Sequence, residues 1–326
     1  MGCRLSLHGV GVLLEGDPAA LEELRRDFAW FADGGDVSAP LRFMLRRALP
    51  PPPLAGALPT LRARRWAVRD AGPLREIRYP EGAVVRWDYR ARSGTLWCED
   101  PELLRELAYL AVLSRAGEEL DRRGLHRVHA LGFERDGDGG LLLLPSGGGK
   151  STLALELLRG TSLNVVSEDT PLLDRRGILT AFPLRWGFGE RADLRGVPEA
   201  LVRPFRRRAH GLKRVVDVEF FRGRVRSGVP LRWLLVGRPV GGTLSIEKAS
   251  WAEAAAALAL SLVVGHGIAQ MSEYVLRPSL EAARVLPSSA LSRLRAALRA
   301  LSHAELLRFS PGKDPAAAAR LLAALQ

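Results

Sequence analysis

Lys150 stands in the run Leu144-Pro145-Ser146-Gly147-Gly148-Gly149-Lys150-Ser151-Thr152, and it is one of only four lysines among the 48 basic residues of this 326-residue chain. A chain this committed to arginine keeps lysine where a compact, rotatable ammonium cannot be replaced by a planar fork. The end of a glycine loop that wraps phosphates is such a place. Three successive glycines carry no Cβ, so the backbone N–H groups of residues 147–150 can converge on one anion. The spacing directs Lys150 to the β- and γ-phosphates of a nucleotide and the Ser151 hydroxyl to a Mg²⁺ ion. Ser146, Gly147, Gly148, Gly149, Lys150, Ser151 and Thr152 are the candidate nucleotide-binding residues.

The flanking elements fit that chemistry. Residues 140–144 are a short apolar strand, and residues 152–159 have helical spacing, with Gly160 expected as the left-handed residue that closes the helix. The new helix also offers its unpaired N–H groups and its dipole to an anion. One position departs from the full pattern, which asks for glycine where this chain has Leu144.

A second apolar run, residues 163–166, leads into Ser167-Glu168-Asp169, nineteen residues past Lys150. That interval holds one helix and one return strand, which brings the acidic pair to a strand end near the loop. Adjacent carboxylates there suit two tasks: holding Mg²⁺, and accepting a proton from an attacking hydroxyl. Glu168 and Asp169 are therefore candidate catalytic groups and, with Ser151, candidate metal ligands. The two carboxylates come too soon for an ABC-type or RecA-type motor.

Residues 127–133 read as one strand, joined to residues 140–144 through Asp136-Gly137-Asp138-Gly139, a hairpin signal. A fold near its middle pairs residues whose numbers sum to about 275, which puts His129 opposite Ser146 and makes it a candidate catalytic residue. His126 is read as packing or surface.

These residues resemble the HPr kinase/phosphorylase family and its short bacterial relatives. The likeness is carried by His129-Ala130-Leu131-Gly132 before a glycine hairpin, by Pro145 to Leu157, and by Val166-Ser167-Glu168-Asp169. It covers about residues 101–174 and continues faintly in Leu307-Arg308-Phe309 and Asp314-Pro315-Ala316. The resemblance implies an α/β (α+β) fold shared with phosphoenolpyruvate carboxykinases, whose mixed, largely antiparallel sheet carries the phosphate loop. It also implies ATP- and Mg²⁺-dependent phosphorylation of a serine hydroxyl on a protein or peptide, with His129, Lys150, Ser151, Glu168 and Asp169 at the matched positions. Leu144 and Glu168 depart from the family pattern, and the loop that recognises the family's carrier protein has no match. A peptide processed in a biosynthetic cluster is then a better candidate acceptor than HPr. A P-loop small-molecule kinase and a non-catalytic nucleotide-binding switch remain alternatives, and reversal by phosphorolysis and homo-oligomer formation stay open.

Two regions must position these residues: an α+β accessory region, 1–98, and a kinase region, 99–326. In the first, residues 5–14 read as one strand, followed by a helix capped by Asp17 and running to about residue 31, and a strand at 41–45. Pro50 to Pro53 and the following stretch form a stiff exposed connection. Strands follow at 76–79, 83–89 and 95–98. The second region opens on a long helix capped by Asp100 and assigned to the kinase core. After Asp169 come a hairpin at 171–174 and 178–182, strands at 215–221 and 231–236, and helices at 252–264, 288–301 and 315–325.

A 47% hydrophobic, 26% charged chain is of ordinary globular composition. Cys3 and Cys98 have no metal-ligand spacing and suggest neither zinc nor a disulfide framework. The most apolar stretch, 252–269, contains Glu253 and His266 and reads as a buried helix. With no signal peptide read, a cytoplasmic protein without membrane partners is expected. The net charge of +12 is densest in Arg203, Arg206, Arg207, Arg208, Lys213, Arg214, Arg222, Arg224 and Arg226. Arginine-rich composition is preferred for that cluster over an acidic docking face, and nucleic acid comes last.

Overall fold

His8 and Gly9 both take left-handed φ, 51° and 81°, and this turns the first apolar run back on itself. Two positive φ values in a row make the tight turn that matches strand twist. The single strand expected over residues 5–14 is thus a hairpin, β1 (Gly2–Leu7) and β2 (Val10–Gly16). The computed structural model describes residues 2–32, 40–145, 147–207, 211–268, 270–276 and 280–325.

Asp17 caps α1 (Pro18–Asp27), its Oδ1 accepting the Ala20 N–H at 2.9 Å. The helix stops short of residue 31, and a 3₁₀ turn, Ala29–Phe31, follows. Next come β3 (Leu41–Arg46), β4 (Leu58–Ala63), β5 (Trp66–Ala71), β6 (Leu74–Tyr79), β7 (Ala83–Asp88), β8 (Ser93–Trp97) and α2 (Pro101–Arg122). The strands form one eight-stranded sheet in the order β1-β2-β3-β8-β7-β6-β5-β4, parallel only at β2–β3 and β3–β8. β4 and β5 were not expected from the sequence. β4 is an edge strand, mostly exposed, the place in a sheet where a proline such as Pro59 is tolerated. The proline run is also less free than expected: the carbonyls of Pro51 and Pro52 accept from Arg78 and Arg86, and Glu76 accepts the Leu54 N–H at 3.0 Å.

The chain divides into two units. The first holds Met1–Leu120 with Pro204–Lys213 and Ala269–Arg284; the second holds Asp121–Arg203, Arg214–Ile268 and Val285–Gln326.

The second unit begins with β9 (Leu125–Arg127), β10 (Leu131–Arg135) and β11 (Asp138–Leu143). The long strand expected over 127–133 is interrupted at residues 128–130. After α3 (Lys150–Gly160) come β12 (Asn164–Ser167), β13 (Leu172–Asp174), β14 (Ile178–Thr180), β15 (Trp186–Gly189), β16 (Val202–Arg207), β17 (Gly211–Val216), β18 (Val229–Gly237) and β19 (Gly241–Lys248). The chain continues through α4 (Trp251–Leu258), a π-helical segment (Ala259–Val264), α5 (Ser272–Val275), α6 (Leu280–His303), β20 (Glu305–Gly312) and α7 (Pro315–Ala323). The helix expected over 252–264 is therefore α for two turns and π for the rest, and Ala269 lies outside the described residues. The expected strand over 215–221 ends at Val216 and gives way to a 3₁₀ turn.

Nine strands make the main sheet of this unit, running β12-β10-β11-β18-β14-β13-β9, with β20 beside β18 and β19 outside β20. β18 carries β14 along its first residues and β20 along its last. Among the described residues, only β11–β18 and β18–β20 pair in parallel in this sheet. The fold is mixed α and β, with mixed sheets that are mostly antiparallel. A smaller sheet runs β15-β17-β16. No helix among the described residues is long and apolar enough to cross a membrane.

Five of the nine residues of the Arg203–Arg226 cluster bond other groups of the chain, Arg203 in the interior and Arg222 and Arg226 at the surface. Arg203 forks onto Asp217 and Arg222 onto Glu219. Arg214 donates to the Ala192 carbonyl at 3.2 Å. Arg226 donates to the Gly223 and Val225 carbonyls. Arg224 bonds Asn164 and the carbonyls of Leu158, Thr161 and Leu163, closing the C-terminal end of α3. Arg208 lies outside the described residues.

Candidate functional site

β11 delivers the loop from the middle of the sheet. Its side chains are buried on both faces, so it holds the loop's entry point rigidly. Leu144 continues the strand and turns its side chain toward Gly237 at the end of β18, where a Cβ would meet Leu144 Cδ2 at 2.4 Å. The glycine missing from the loop thus has a counterpart in the neighbouring strand, and Leu144 is a buried core residue. Restoring glycine there is expected to harm the protein. Leu144→Gly would leave a cavity under the loop and lower stability by roughly 2–5 kcal/mol. Urea melts check this, and a variant as stable as the parent would refute the packing role.

Gly147 and Gly149 take left-handed φ of 77° and 85°, and the Gly148 N–H donates to the Pro145 carbonyl at 2.9 Å. A Cβ on Gly148 would lie 2.9 Å from that carbonyl oxygen. Each glycine is therefore demanded by the turn. Gly149 is the N-cap of α3, and Lys150, Ser151 and Thr152 form its first turn, where backbone N–H groups have no acceptor within the helix. Ser146 lies outside the described residues, and Thr152 is exposed. The left-handed closing residue expected at 160 is not used. Gly160 stays helical, and Thr161 closes the helix in extended conformation with its hydroxyl on the Leu157 carbonyl at 2.7 Å.

The Lys150 ammonium is buried and bends back over the loop. It donates to the carbonyls of Leu144 at 3.1 Å and Pro145 at 3.4 Å, and lies 2.8 Å from His129 Nε2 and 3.5 Å from Asp169 Oδ1. His129 Nε2 also lies 3.2 Å from Asp169 Oδ1. One nitrogen cannot accept from lysine and donate to a carboxylate at once, so the tautomer of His129 decides which of these two contacts is a hydrogen bond. Ser151 Oγ donates to Glu168 Oε1. The structure therefore brings together His129, Lys150, Ser151, Glu168 and Asp169.

The hairpin register explains how His129 arrives. Leu131 pairs with Leu142 and Gly132 with Leu141, two short of the expected sum. The interruption at His129 has a physical cause. The N–H groups of Val128 and Ala130 bond the carbonyls of Pro171 and Asp169 at 2.9 and 3.1 Å, while the His129 N–H turns the other way to the Ser261 carbonyl at 3.2 Å. Ser261 belongs to the π-helical segment, whose wide turns recur at functional sites. The imidazole rests on Gly267, where a Cβ would fall 2.0 Å from Nδ1. Ser261 and Gly267 were not read from the sequence; the only signal was the glycine pair in Gly265-His266-Gly267.

The two carboxylates diverge. Burial pushes Glu168 up to about 8, with the Asp169 charge adding to it and the Ser151 hydrogen bond and Lys150 opposing. Asp169 keeps 44% of its side-chain surface open. Burial works to raise it as well, but the His129 hydrogen bond and the Lys150 charge outweigh that and hold it below the ordinary range. At neutral pH the pair carries one anion, on the exposed member.

This makes metal-free stability pH-dependent. Between the ordinary 4.5 and about 8, the folded chain keeps a proton on Glu168 that the unfolded chain has released. Stability then falls as pH rises through that window, by at most about 1.4 kcal/mol per unit. Asp169 acts in the opposite sense, contributing stability above its ordinary 3.8 that is lost as pH falls below it. Glu168→Gln is expected to flatten the decline toward pH 8. Denaturant melts across that window test it, and an equally steep decline in the variant would contradict it.

Among the described residues, no group of three or more His, Cys, Asp or Glu is placed to hold a metal ion. Mg²⁺ asks for less. It binds through one or two carboxylates with waters and phosphate oxygens, and the hard oxygens of Ser151, Glu168 and Asp169 beside a glycine loop fit that demand. Comparison with protein-family models and with curated proteins gives no match to this chain.

Proposed function

We propose that this chain is an ATP- and Mg²⁺-dependent kinase of the HPr kinase-like type, moving the γ-phosphoryl group to a Ser or Thr hydroxyl of a protein or peptide. The observation that carries the reading is Asp169. It is the exposed carboxylate of the cluster, held by His129 and Lys150 next to the head of a glycine loop.

Each residue then has a task. The first-turn amides of α3 and the Lys150 ammonium receive the phosphates. Asp169 orients the acceptor hydroxyl. As the hydroxyl oxygen bonds to the γ-phosphorus, the bond from that phosphorus to the β–γ bridging oxygen breaks and ADP leaves. The hydroxyl proton passes to the Asp169 carboxylate, which His129 steadies. Ser151 and Glu168 would hold Mg²⁺, which when bound neutralises charge on the phosphate oxygens. Positioning and charge stabilisation carry the rate.

Incubation with labelled ATP, Mg²⁺ and a library of serine-containing peptides, read by mass spectrometry, tests this. A mass gain of one phosphate on a peptide is expected. Label found only in small metabolites would replace the reading with a small-molecule kinase. Nucleotide bound with no ADP formed would replace it with a non-catalytic switch.

A further inference from the structure

We infer that Asp121 is a positioning residue of this site: one buried carboxylate that fixes both the strand leading into His129 and the π-turn that receives the His129 amide. The inference rests on the reading of His129, Lys150 and Asp169 as the phosphoryl-transfer cluster.

On one side, Asp121 Oδ1 lies 2.9 Å from His126 Nδ1, and His126 Nε2 lies 2.8 Å from Ser292 Oγ. His126 is fully buried in β9, three residues before His129. With Nδ1 donating to the carboxylate, Nε2 is left to accept from the serine, so the ring is pinned from both edges in one tautomer. On the other side, Asp121 takes a two-pronged bond from Arg293, with Nε to Oδ1 at 3.1 Å and Nη2 to Oδ2. The remaining Arg293 nitrogen, Nη1, donates to the carbonyls of Leu262 at 3.2 Å and Val263 at 3.4 Å. Those carbonyls belong to the π-helical segment whose Ser261 carbonyl takes the His129 N–H. Arg293 also stands against Gly265, where a Cβ would lie 3.2 Å from Nη1, two residues before the Gly267 seat of the imidazole.

Asp121, His126, Ser292 and Arg293 touch none of Lys150, Glu168 or Asp169 through any hydrogen bond or ion pair described for them. Their effect runs through backbone placement alone. A Ser-His-Asp line invites a hydrolytic reading, but Ser292 sits mid-helix in α6, where backbone N–H groups are spent inside the helix and none is left to hold an oxyanion. The Asp121 charge is taken up by Arg293. Positioning is what the geometry supports.

Deleting one partner would strand a buried charge and could unfold the protein, whereas replacing both by apolar groups is commonly tolerated. The test is therefore the Asp121→Leu/Arg293→Met double variant, with Arg293→Lys as the conservative partner. The double variant is expected to melt cooperatively, keep its KM for MgATP within about twofold, and lose about 10²-fold in kcat. The imidazole NMR signals of His129, identified by their loss in His129→Gln, should move. Arg293→Lys, which retains the charge but not the fork, should recover part of the rate. A folded double variant with unchanged kcat and unchanged His129 signals would overturn the inference. If the unmodified protein phosphorylates no acceptor, the kinase reading fails by itself, and the His129 signals still decide whether Asp121 positions that ring.

Discussion

Lys150→Ala is expected to lower kcat by about 10³-fold or more, with the cooperative melt retained. The ammonium is the one cation within reach of both His129 Nε2 and Asp169 Oδ1, at 2.8 and 3.5 Å, among the contacts described for them. On the proposed reading, its removal takes away the charge that would face the transferring phosphoryl. It also takes away part of what keeps Asp169 ionised and in place. The fold has less to lose. Of the two carbonyls that accept from the ammonium, that of Pro145 belongs to an exposed residue. Single-turnover transfer measured beside a thermal melt separates the two effects. An alanine variant that transfers phosphate at the parent's rate would remove the basis of the proposed function.

Gly267→Ala has the next largest expected effect, although Gly267 carries no functional group. Its φ of +88° costs any L-residue about 1–3 kcal/mol. The added methyl would also fall 2.0 Å from His129 Nδ1 and 2.2 Å from Cε1. The ring has to move by more than an ångström, and a shift of that size at a reacting centre costs about 10²-fold in rate. A melting temperature lower by roughly 2–12 °C is expected alongside. The two costs separate in a His129→Ala background, where the collision disappears and only the backbone penalty remains. The rate losses of Gly267→Ala and His129→Ala should therefore be strongly non-additive. Purely additive losses, or an unimpaired Gly267→Ala enzyme, would rule out the seating role.

The local parts of this site were legible in the chain. Three glycines before Lys150-Ser151 announce a turn running into a helix, and the short path to Glu168-Asp169 leaves room for one helix and one strand. His129 was placed two positions off because the hairpin folds at Asp136-Gly137, with Arg135 opposite Asp138, one residue earlier than a fold at its middle. What was not legible depends on partners far along the sequence. The break at His129 exists because Ser261 takes its amide. Gly267 matters only because an imidazole leans on it. Arg293 is one arginine in a chain crowded with them, and nothing in its type distinguishes it before Asp121 and the π-turn carbonyls surround it.

The basic cluster failed to speak for the same reason. Composition counts charges, but Arg203, Arg222 and Arg224 are spent on Asp217, Glu219 and the end of α3. In the first unit, β4 and β5 escaped notice because an exposed edge hairpin needs little apolar alternation, and Pro59 disguises its first strand. The hairpin at His8-Gly9 was hidden by the opposite problem, since its two strands are apolar enough to merge into one.

Cys3 and Cys98 are both free and buried, and both lie in the first unit. Burial also holds the Cys98 thiol above its ordinary range, which keeps it in the unreactive form. An alkylating reagent therefore reaches either sulfur only when the structure around it opens. The second unit contains no cysteine and stays silent to such a reagent. Thiol capture thus times the breathing of one unit of an unlabelled molecule without interference from the other.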